Sequence, residues 1–377
     1  MDYYAAFLCN NHKQRNLVFM NPVQSKKEGL GYFNLLRGLG LLFIILGHSI
    51  APFLTVQIPD TPVTLFQGAG RVLGSSILAM FFMISGLGFY RRSPRKCLAI
   101  QTKLLLKPYA YTAIAFILCK MILAGLKGNS VLNQGLSLFL TFLLGLNASR
   151  GGNLFGIHIT TISILWFVIA LFGGWLIYNR ILYLPEKKMR YQCILSCLVL
   201  SWILSLISKV WPFALPMVLM AVGYIAAGHE IRISNLLHRS LSIPAWCALI
   251  FISIICLMFG YVDMAACVWK LGPLDMIGTI CIAFLLLRLY CRIMDLGIHG
   301  TLIGHLEHLG VNSIRILCIH AFEHAIIPWR KLSLVFPNAP VLCAVLCLLG
   351  KAALIWGLYY LTYHLPRKKR KPVTIEP

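Results

Sequence analysis

Residues 32–54, YFNLLRGLGLLFIILGHSIAPFL, decide what kind of protein this chain is. From Phe33 onward the stretch is long enough to cross the hydrocarbon core of a bilayer as a helix, yet it contains Arg37 and His48. Eleven residues separate these two, close to three full turns, so both are predicted on one helix face, about 16 Å apart along the axis. Because an arginine facing lipid costs roughly 3 kcal/mol, that face is expected to point into the protein. The alternative is that Arg37 extends to the membrane interface and His48 is an ordinary packing residue.

The composition places the whole chain in the same class. Hydrophobic residues make up 59% of it, charged residues 12%, and the mean hydropathy is +0.80. These values predict an all-α, polytopic transmembrane helical bundle. The net charge of +23 comes from short basic clusters between apolar runs, which is the pattern of cytoplasmic loops, so we predict the lipid bilayer as a partner and no nucleic acid. The thirteen cysteines form no C-x-x-C pair and are expected to be reduced.

The apolar runs predict about ten spanning helices and one further segment. The spans are residues 33–54, 72–90, 104–125, 162–182, 191–208, 211–227, 243–262, 274–296, 311–328 and 341–363. Residues 131–146 are short for a span, and if they crossed, the loop with Arg180 and Lys187 would fall on the wrong side for the charge rule. They are therefore predicted to be re-entrant or interfacial, within an outer loop over residues 126–160.

The charge pattern also predicts three regions along the chain. Residues 1–28 form a cytoplasmic N-terminal segment, residues 29–365 the membrane domain, and residues 366–377 a basic cytoplasmic tail. Both termini are then cytoplasmic, and the first helix is a retained anchor because no cleavage-site pattern follows it. Met20 is an alternative start to Met1.

Several short motifs follow one another in an order that resembles a known family. LLRGLG with GHS in the first helix, FFMISG at residues 81–86, KPY at 107–109, LWF at 165–167, and GVNS at 310–313 followed by His320 are similar to motifs of acyltransferase family three. The resemblance covers roughly residues 26–365. It departs from the family at Asn34, where many members have Asp.

The resemblance implies an integral O-acyltransferase of the bacterial inner membrane, with fucose acetylase-like relatives. Such enzymes transfer acetyl groups to sugars and glycans, so the expected partners are acetyl-CoA as co-substrate and a carbohydrate acceptor, with no cofactor. The chain does not reveal its oligomeric state. A transporter of a small anionic or glycan-related solute, with Arg37 and His48 along its pathway, is the alternative from another class.

Acyl transfer to a hydroxyl needs a base and a stabiliser of negative charge, and we expect His48 and Arg37 in these two catalytic roles. A second set follows from the family motifs and is expected to bind substrate: Asn34, Ser85, Trp166, Asn312, Ser313 and His320. Ser85 could instead bond back to its own helix, which is the commoner role, and Trp166 could equally anchor at the membrane interface. A basic set is expected to bind the polyanionic donor, or only to signal topology: Arg91, Arg92, Lys103 and Lys107.

One sequence pattern suggests a different chemistry. His320, Glu323 and His324 match H-x-x-E-H, an inverted zinc-protease signature, and its two histidines share a helix face. A catalytic zinc needs a further ligand, and after Glu323 the only acidic residue is Glu376 in the tail. We therefore predict no metal site.

Overall fold

The computed structural model describes residues 30–54, 65–146, 152–154, 157–208, 210–297 and 300–364. The predicted N-terminal segment 1–28, with both candidate starts, and the basic tail lie outside these residues. Within them, thirteen helices have eight or more residues, and the strands form only two small antiparallel hairpins. The all-α, polytopic architecture predicted from composition is confirmed.

The helices follow the apolar runs of the sequence. In chain order they are α1 Asn34–Leu54, α2 Leu65–Leu87, α3 Pro94–Gln101, α4 Lys107–Leu126, α5 Val131–Leu143, α6 Trp166–Ile181, α7 Lys187–Ile207, α8 Leu215–Ile233, α9 Ile243–Phe259, α10 Pro273–Asp295, α11 Thr301–Val311, α12 Ser313–Ile326 and α13 Pro340–His364. A π turn, Thr102–Leu106, joins α3 and α4 into one long helix. The hairpins are β1 Gly152–Leu154 with β2 Ile157–Ile159, and β3 Val262–Asp263 with β4 Val268–Trp269.

Eight helical segments in the described residues are long and apolar enough to cross a bilayer: Asn34–Phe53, Gly68–Leu87, Pro94–Leu126, Ser163–Ile181, Lys187–Ile207, Pro212–Ile233, Pro273–Asp295 and Pro340–Thr362. All eight coincide with predicted spans. The other two predicted spans are present as shorter helices, α9 with 17 residues and α12 with 14. At 1.5 Å per residue they measure about 26 and 21 Å, below the roughly 30 Å hydrocarbon thickness. Eight of the ten predicted spans thus reach full spanning length within the described residues, and the other two are present as shorter apolar helices.

The bundle has a basic end, defined by Arg91, Arg92, Arg180, Lys187, Arg190, Arg232 and Arg239. Here the backbone N–H of Arg92 donates to Asn179 near the end of α6 (3.0 Å), and the Arg232 guanidinium donates to the carbonyl of Leu87 at the end of α2 (2.9 Å). At the opposite end, Arg71 of α2 forms an ion pair with Asp263 of β3 (3.1 Å). The helix ends and their loops therefore separate into two faces, and the seven cations of the basic end share one of them.

The short helix α5 enters and leaves the bundle at the opposite end. It begins just after α4, which has run there from the basic end. Just after α5, the carbonyl of Gly145 accepts from the N–H of Ala214 (3.1 Å), and the carbonyl of Leu146 accepts from the N–H of Ile162 (3.1 Å). These partners immediately precede α8 and α6 at that same end. With 13 residues α5 is also too short to span, as predicted for a re-entrant segment.

The start of α1 is pressed against α11. A Cβ atom added at Gly38 would overlap the carbonyl oxygen of Leu306, and one added at Gly310 would overlap that of Asn34. Gly40 faces the ring of Phe81 on α2 in a similarly close contact. Small residues of this kind let membrane helices approach until their backbones touch. The glycines flanking Arg37 therefore fix how α1 sits in the bundle.

Candidate active site

Three histidine rings meet between α1 and α12. The ring centroid of His48 lies 5.4 Å from that of His320 and 5.0 Å from that of His324, and the latter two are 5.9 Å apart. The pair on α12 is four residues apart and so shares the helix face that meets α1. The predicted inward orientation of the His48 face accounts for this arrangement, and His48 and His320 are brought together.

Behind His320 lies a buried carboxylate that receives three donors. Glu323 Oε1 is 2.7 Å from His320 Nδ1 and 3.3 Å from Lys351 Nζ, and Glu323 Oε2 accepts from Trp329 Nε1 at 2.7 Å. His320, Glu323 and Lys351 have exposed fractions of 0%, 1% and 0%. An ionised carboxylate is an acceptor only, so this arrangement of three donors fits the charged form of Glu323. The Lys351 ammonium balances that charge within the same cluster.

These partners assign opposite tautomers to the two histidines of α12. Because Glu323 accepts, His320 carries its hydrogen on Nδ1, and its Nε2 is an acceptor that is buried and has no hydrogen-bond partner among the described residues. The Nδ1 of His324 lies 3.0 Å from Lys351 Nζ. An ammonium has donors only, so this Nδ1 accepts and the hydrogen of His324 is on Nε2. The cluster thus presents one acceptor nitrogen and one N–H donor.

Arg37 lies at the other end of the same face of α1. Its Nη1 is 3.4 Å from Asn34 Oδ1, a long hydrogen bond, and α1 continues without interruption from there to His48. Gly310, which begins the G-x-N-S motif, touches the backbone of Asn34. Asn312 donates to the carbonyl of His308 (3.0 Å) at the break between α11 and α12, and Ser313 begins α12. The first-helix motif and the G-x-N-S motif are therefore neighbours. Arg37 lies about 16 Å from His48 along the axis of α1.

A family model described as an acyltransferase domain matches residues 30–360. The chain belongs to acyltransferase family three. The match covers every helix of the bundle from α1 to the greater part of α13, and with them the three histidines, Glu323 and Lys351. The comparisons with curated proteins and with solved structures give no match.

In this membrane acyltransferase, two of the predicted substrate residues make their contacts within the helix packing and not with the histidine cluster. Ser85 donates to the carbonyl of Phe81 in its own helix (3.1 Å), the commoner of the two roles considered for it. Trp166 is only 4% exposed, packs edge to face on Phe167 and begins α6. Because it is buried among helices, Trp166 is placed as an interior wall and not as an interfacial anchor.

The four predicted donor-binding residues of the acyltransferase divide into two pairs. Arg91 donates to the carbonyl of Leu182 (3.4 Å), and the guanidinium of Arg92 lies over the ring of Trp175 (5.7 Å), so both are held against α6. Lys103, inside the π turn, and Lys107, at the start of α4, are exposed. The first pair helps to join helix ends, whereas the two lysines are available to an anion.

Sequence reasoning missed half of the acyltransferase's charged cluster. Glu323 and His324 were recognised only as parts of a zinc signature, and Lys351 and Trp329 were not singled out. A lysine in the middle of an apolar run is a recognisable signal, because intramembrane charges are expensive and are usually functional. Among the described residues, no group of three or more His, Cys, Asp or Glu side chains is arranged to hold a metal ion.

Proposed function

We propose that this membrane acyltransferase moves an acetyl group from acetyl-CoA to a hydroxyl group of a sugar or glycan. The observation that carries the proposal is the position of His48 against His320 and His324, with centroid distances of 5.4 and 5.0 Å. Around one imidazole this arrangement supplies an acceptor nitrogen, an N–H donor and a paired charge. Acyl transfer to a hydroxyl requires groups of these kinds.

In the proposed reaction, His48 takes the proton of the acceptor hydroxyl as its oxygen attacks the thioester carbonyl. The new C–O bond forms, the C–S bond breaks, and the departing CoA thiolate receives the proton from His48. Negative charge develops on the carbonyl oxygen in between. The Nε2–H of His324, assigned from its contact with Lys351, is the donor suited to that oxygen.

The donor reaches this centre from the basic end. Arg37, Lys103 and Lys107 are the cations proposed to bind the phosphates of CoA, since phosphate oxygens are strong acceptors for such groups. The axial distance of about 16 Å from Arg37 to His48 suits a donor whose long thiol arm carries the acetyl group inward. Asn34, Asn312 and Ser313 lie near the start of that path.

The charge distribution supports placing the basic end at the cytoplasmic face of the inner membrane, with both chain termini on that side. The histidine cluster then receives acetyl-CoA from the cytosol, and a glycan acceptor reaches it from the opposite side. This direction matches the location of the two substrates in a cell that modifies an extracytoplasmic glycan.

The test is acetyl transfer by the purified, reconstituted protein, with radiolabelled acetyl-CoA and a panel of sugar and glycan acceptors. We expect acetyl-CoA consumption and an O-acetylated product with the wild-type protein. His305→Ala is the matched control, because His305 is exposed on α11 and outside the cluster, and it should behave as wild type. Neither acetyl-CoA hydrolysis nor acetyl transfer, in a protein that instead carries solute across vesicles, would support the transporter alternative.

A further inference from the structure

We propose that Glu323 and His320 are positioning residues for His48, forming a chain of hydrogen bonds that orients its imidazole and stabilises it once protonated. The inference rests on the proposed function, because it assigns a task to the base of that reaction. It differs from the family resemblance, which pointed to His320 only as a substrate-binding residue and gave Glu323 no role.

One ring nitrogen of His320 is left without a partner among the described residues. Its Nδ1 is bound to Glu323, so its Nε2 is an acceptor, and this atom is buried without a partner among the described residues. Burying an acceptor without a partner is unfavourable, and buried polar atoms in native proteins are almost always hydrogen-bonded. An N–H of a neighbouring group is therefore expected to bind there.

His48 is the group placed to bind it. Its ring centroid is 5.4 Å from that of His320, a separation that one N–H···N bond of about 3 Å spans once the two ring radii are added. If one nitrogen of His48 donates to His320 Nε2, its other nitrogen must carry the lone pair. A neutral histidine fixed in this tautomer is ready to accept a proton from a hydroxyl.

Proton transfer also changes the charge at His48. When His48 takes the proton, it becomes a cation in a water-poor interior, and only a nearby negative charge offsets the cost of that cation. The Glu323 carboxylate lies one histidine away, and Trp329 and Lys351 hold both of its oxygens in place. Before the reaction the charges of Lys351 and Glu323 cancel, so the proton on His48 gives the cluster a net positive charge only until the CoA thiolate receives that proton.

The variant that tests the chain is Glu323→Gln, which keeps the size of the side chain but removes its charge. An amide has only one acceptor oxygen, so it cannot satisfy both His320 and Trp329. We expect kcat for acetyl transfer to fall between about tenfold and 10³-fold, with KM for acetyl-CoA changed less than about threefold. Asp275→Asn is the matched control, since Asp275 is also a fully buried carboxylate but binds the backbone N–H of Leu271 away from the cluster.

The double variant His48→Ala with Glu323→Gln distinguishes positioning from a structural role. If Glu323 acts through His48, its loss adds nothing once His48 is gone, and the double variant has the same residual rate as His48→Ala. If Glu323 only stabilises the fold, the two losses multiply, which contradicts the inference. If Glu323→Gln does not insert, His320→Gln is judged by the same two criteria.

The outcomes separate this inference from the proposed function. An inactive His48→Ala beside a Glu323→Gln variant with wild-type kcat overturns the positioning chain and leaves the acyl-transfer proposal intact. A His48→Ala variant with wild-type transfer overturns the positioning chain and the base role of His48, whereas the absence of any acetyl transfer by the wild-type protein overturns the proposed function. In ¹⁵N-histidine spectra, Glu323→Gln is expected to change the tautomer signals of His320 and His48, and unchanged signals count against the chain.

Discussion

His48 is the residue on which the chemical argument depends. A general base contributes about 10²–10⁴-fold to a rate, so His48→Ala is expected to lose at least 10²-fold in turnover while still inserting and folding. His48→Gln keeps the size but not the basicity and should be nearly as poor. The measurement is acetyl transfer at saturating acetyl-CoA, normalised to inserted protein. Near wild-type turnover in His48→Ala would show that His48 is an ordinary packing residue and not the base.

Arg37 is expected to act on the donor rather than on the acceptor. Arg37→Lys keeps a positive charge but loses the planar fork that binds phosphate through two hydrogen bonds. We predict a raised KM for acetyl-CoA with part of the turnover retained at saturation. A loss of turnover that saturating acetyl-CoA does not restore would instead place Arg37 in the chemical step.

Asn34 tests the point at which this chain departs from its family. Its Oδ1 accepts a long hydrogen bond of 3.4 Å from Arg37, and a carboxylate there would bind the guanidinium more strongly. Asn34→Asp is therefore predicted to give equal or higher acetyl transfer. A clear loss of activity would show that Arg37 must remain free of a charged partner in order to bind the donor.

The H-x-x-E-H pattern leads to a prediction about metal. Lys351 places an ammonium beside Glu323 and His324, and a cation at that position opposes a zinc ion. We expect no stoichiometric zinc in the purified protein and full activity in the presence of a chelator, measured by elemental analysis and transfer assay. One tightly bound zinc, lost in His324→Ala, would revive a metal mechanism.

The sequence predicted the positions of individual side chains where helical spacing alone determines them. Arg37 and His48 lie on one face of an unbroken helix, and the i, i+4 relation of His320 and His324 is local in the same way. Lys351 could have been suspected as a lone charge in an apolar run. Its partner could not, because Glu323 lies 28 residues away on another helix, and nothing in the periodicity of either helix says which faces meet.

Among the elements, the crossing of α1 and α11 depends on two glycines. A Cβ at Gly310 would overlap the carbonyl of Asn34, so Gly310→Ala must push the helices apart, and we expect it to destabilise the protein by about 1–3 kcal/mol. Gly47→Ala on α1 is the control, because a Cβ there meets nothing within 4 Å. That change should be neutral or stabilise by about 0.5–1 kcal/mol.

The measurement is thermal unfolding of the two purified variants in detergent. A midpoint lowered in Gly310→Ala and unchanged or raised in Gly47→Ala supports the crossing. Equal midpoints in the two variants would show that the helices have room to spare at this contact.

The helices themselves were largely predictable, whereas their lengths were not. Apolar runs place a helix, but α12 ends at Ile326 because Ile327 and Pro328 leave the helical conformation. Helix α11, Thr301–Val311, lies almost entirely before the predicted span 311–328 and was not predicted. The fate of residues 131–146 was predictable from charge balance, since a crossing would have put Lys187 on the wrong side. The hydrogen bonds that hold this segment come from residues just before α6 and α8, which no local pattern identifies.

For the whole molecule, the prediction is a topology with the basic end inside. Reporter fusions near Lys187 and after Lys371 should both report cytoplasm, because residues 131–146 do not cross and the remaining crossings bring both positions to one side. The control is a fusion in the loop after Leu126, which should report the other side. An extracytoplasmic signal near Lys187 would add a crossing and remove the re-entrant segment.

The histidine cluster joins α1, the first helix, to α12 and α13 near the C-terminal end of the bundle, and this has a consequence for biosynthesis. His48 is on α1, His320 and Glu323 are on α12, and Lys351 arrives only with α13. During synthesis the Glu323 carboxylate leaves the ribosome before the Lys351 ammonium that balances it, because Lys351 follows 28 residues later. Helix α13 therefore completes the site electrostatically, and a chain that stops before α13 retains the Glu323 carboxylate without its charged partner.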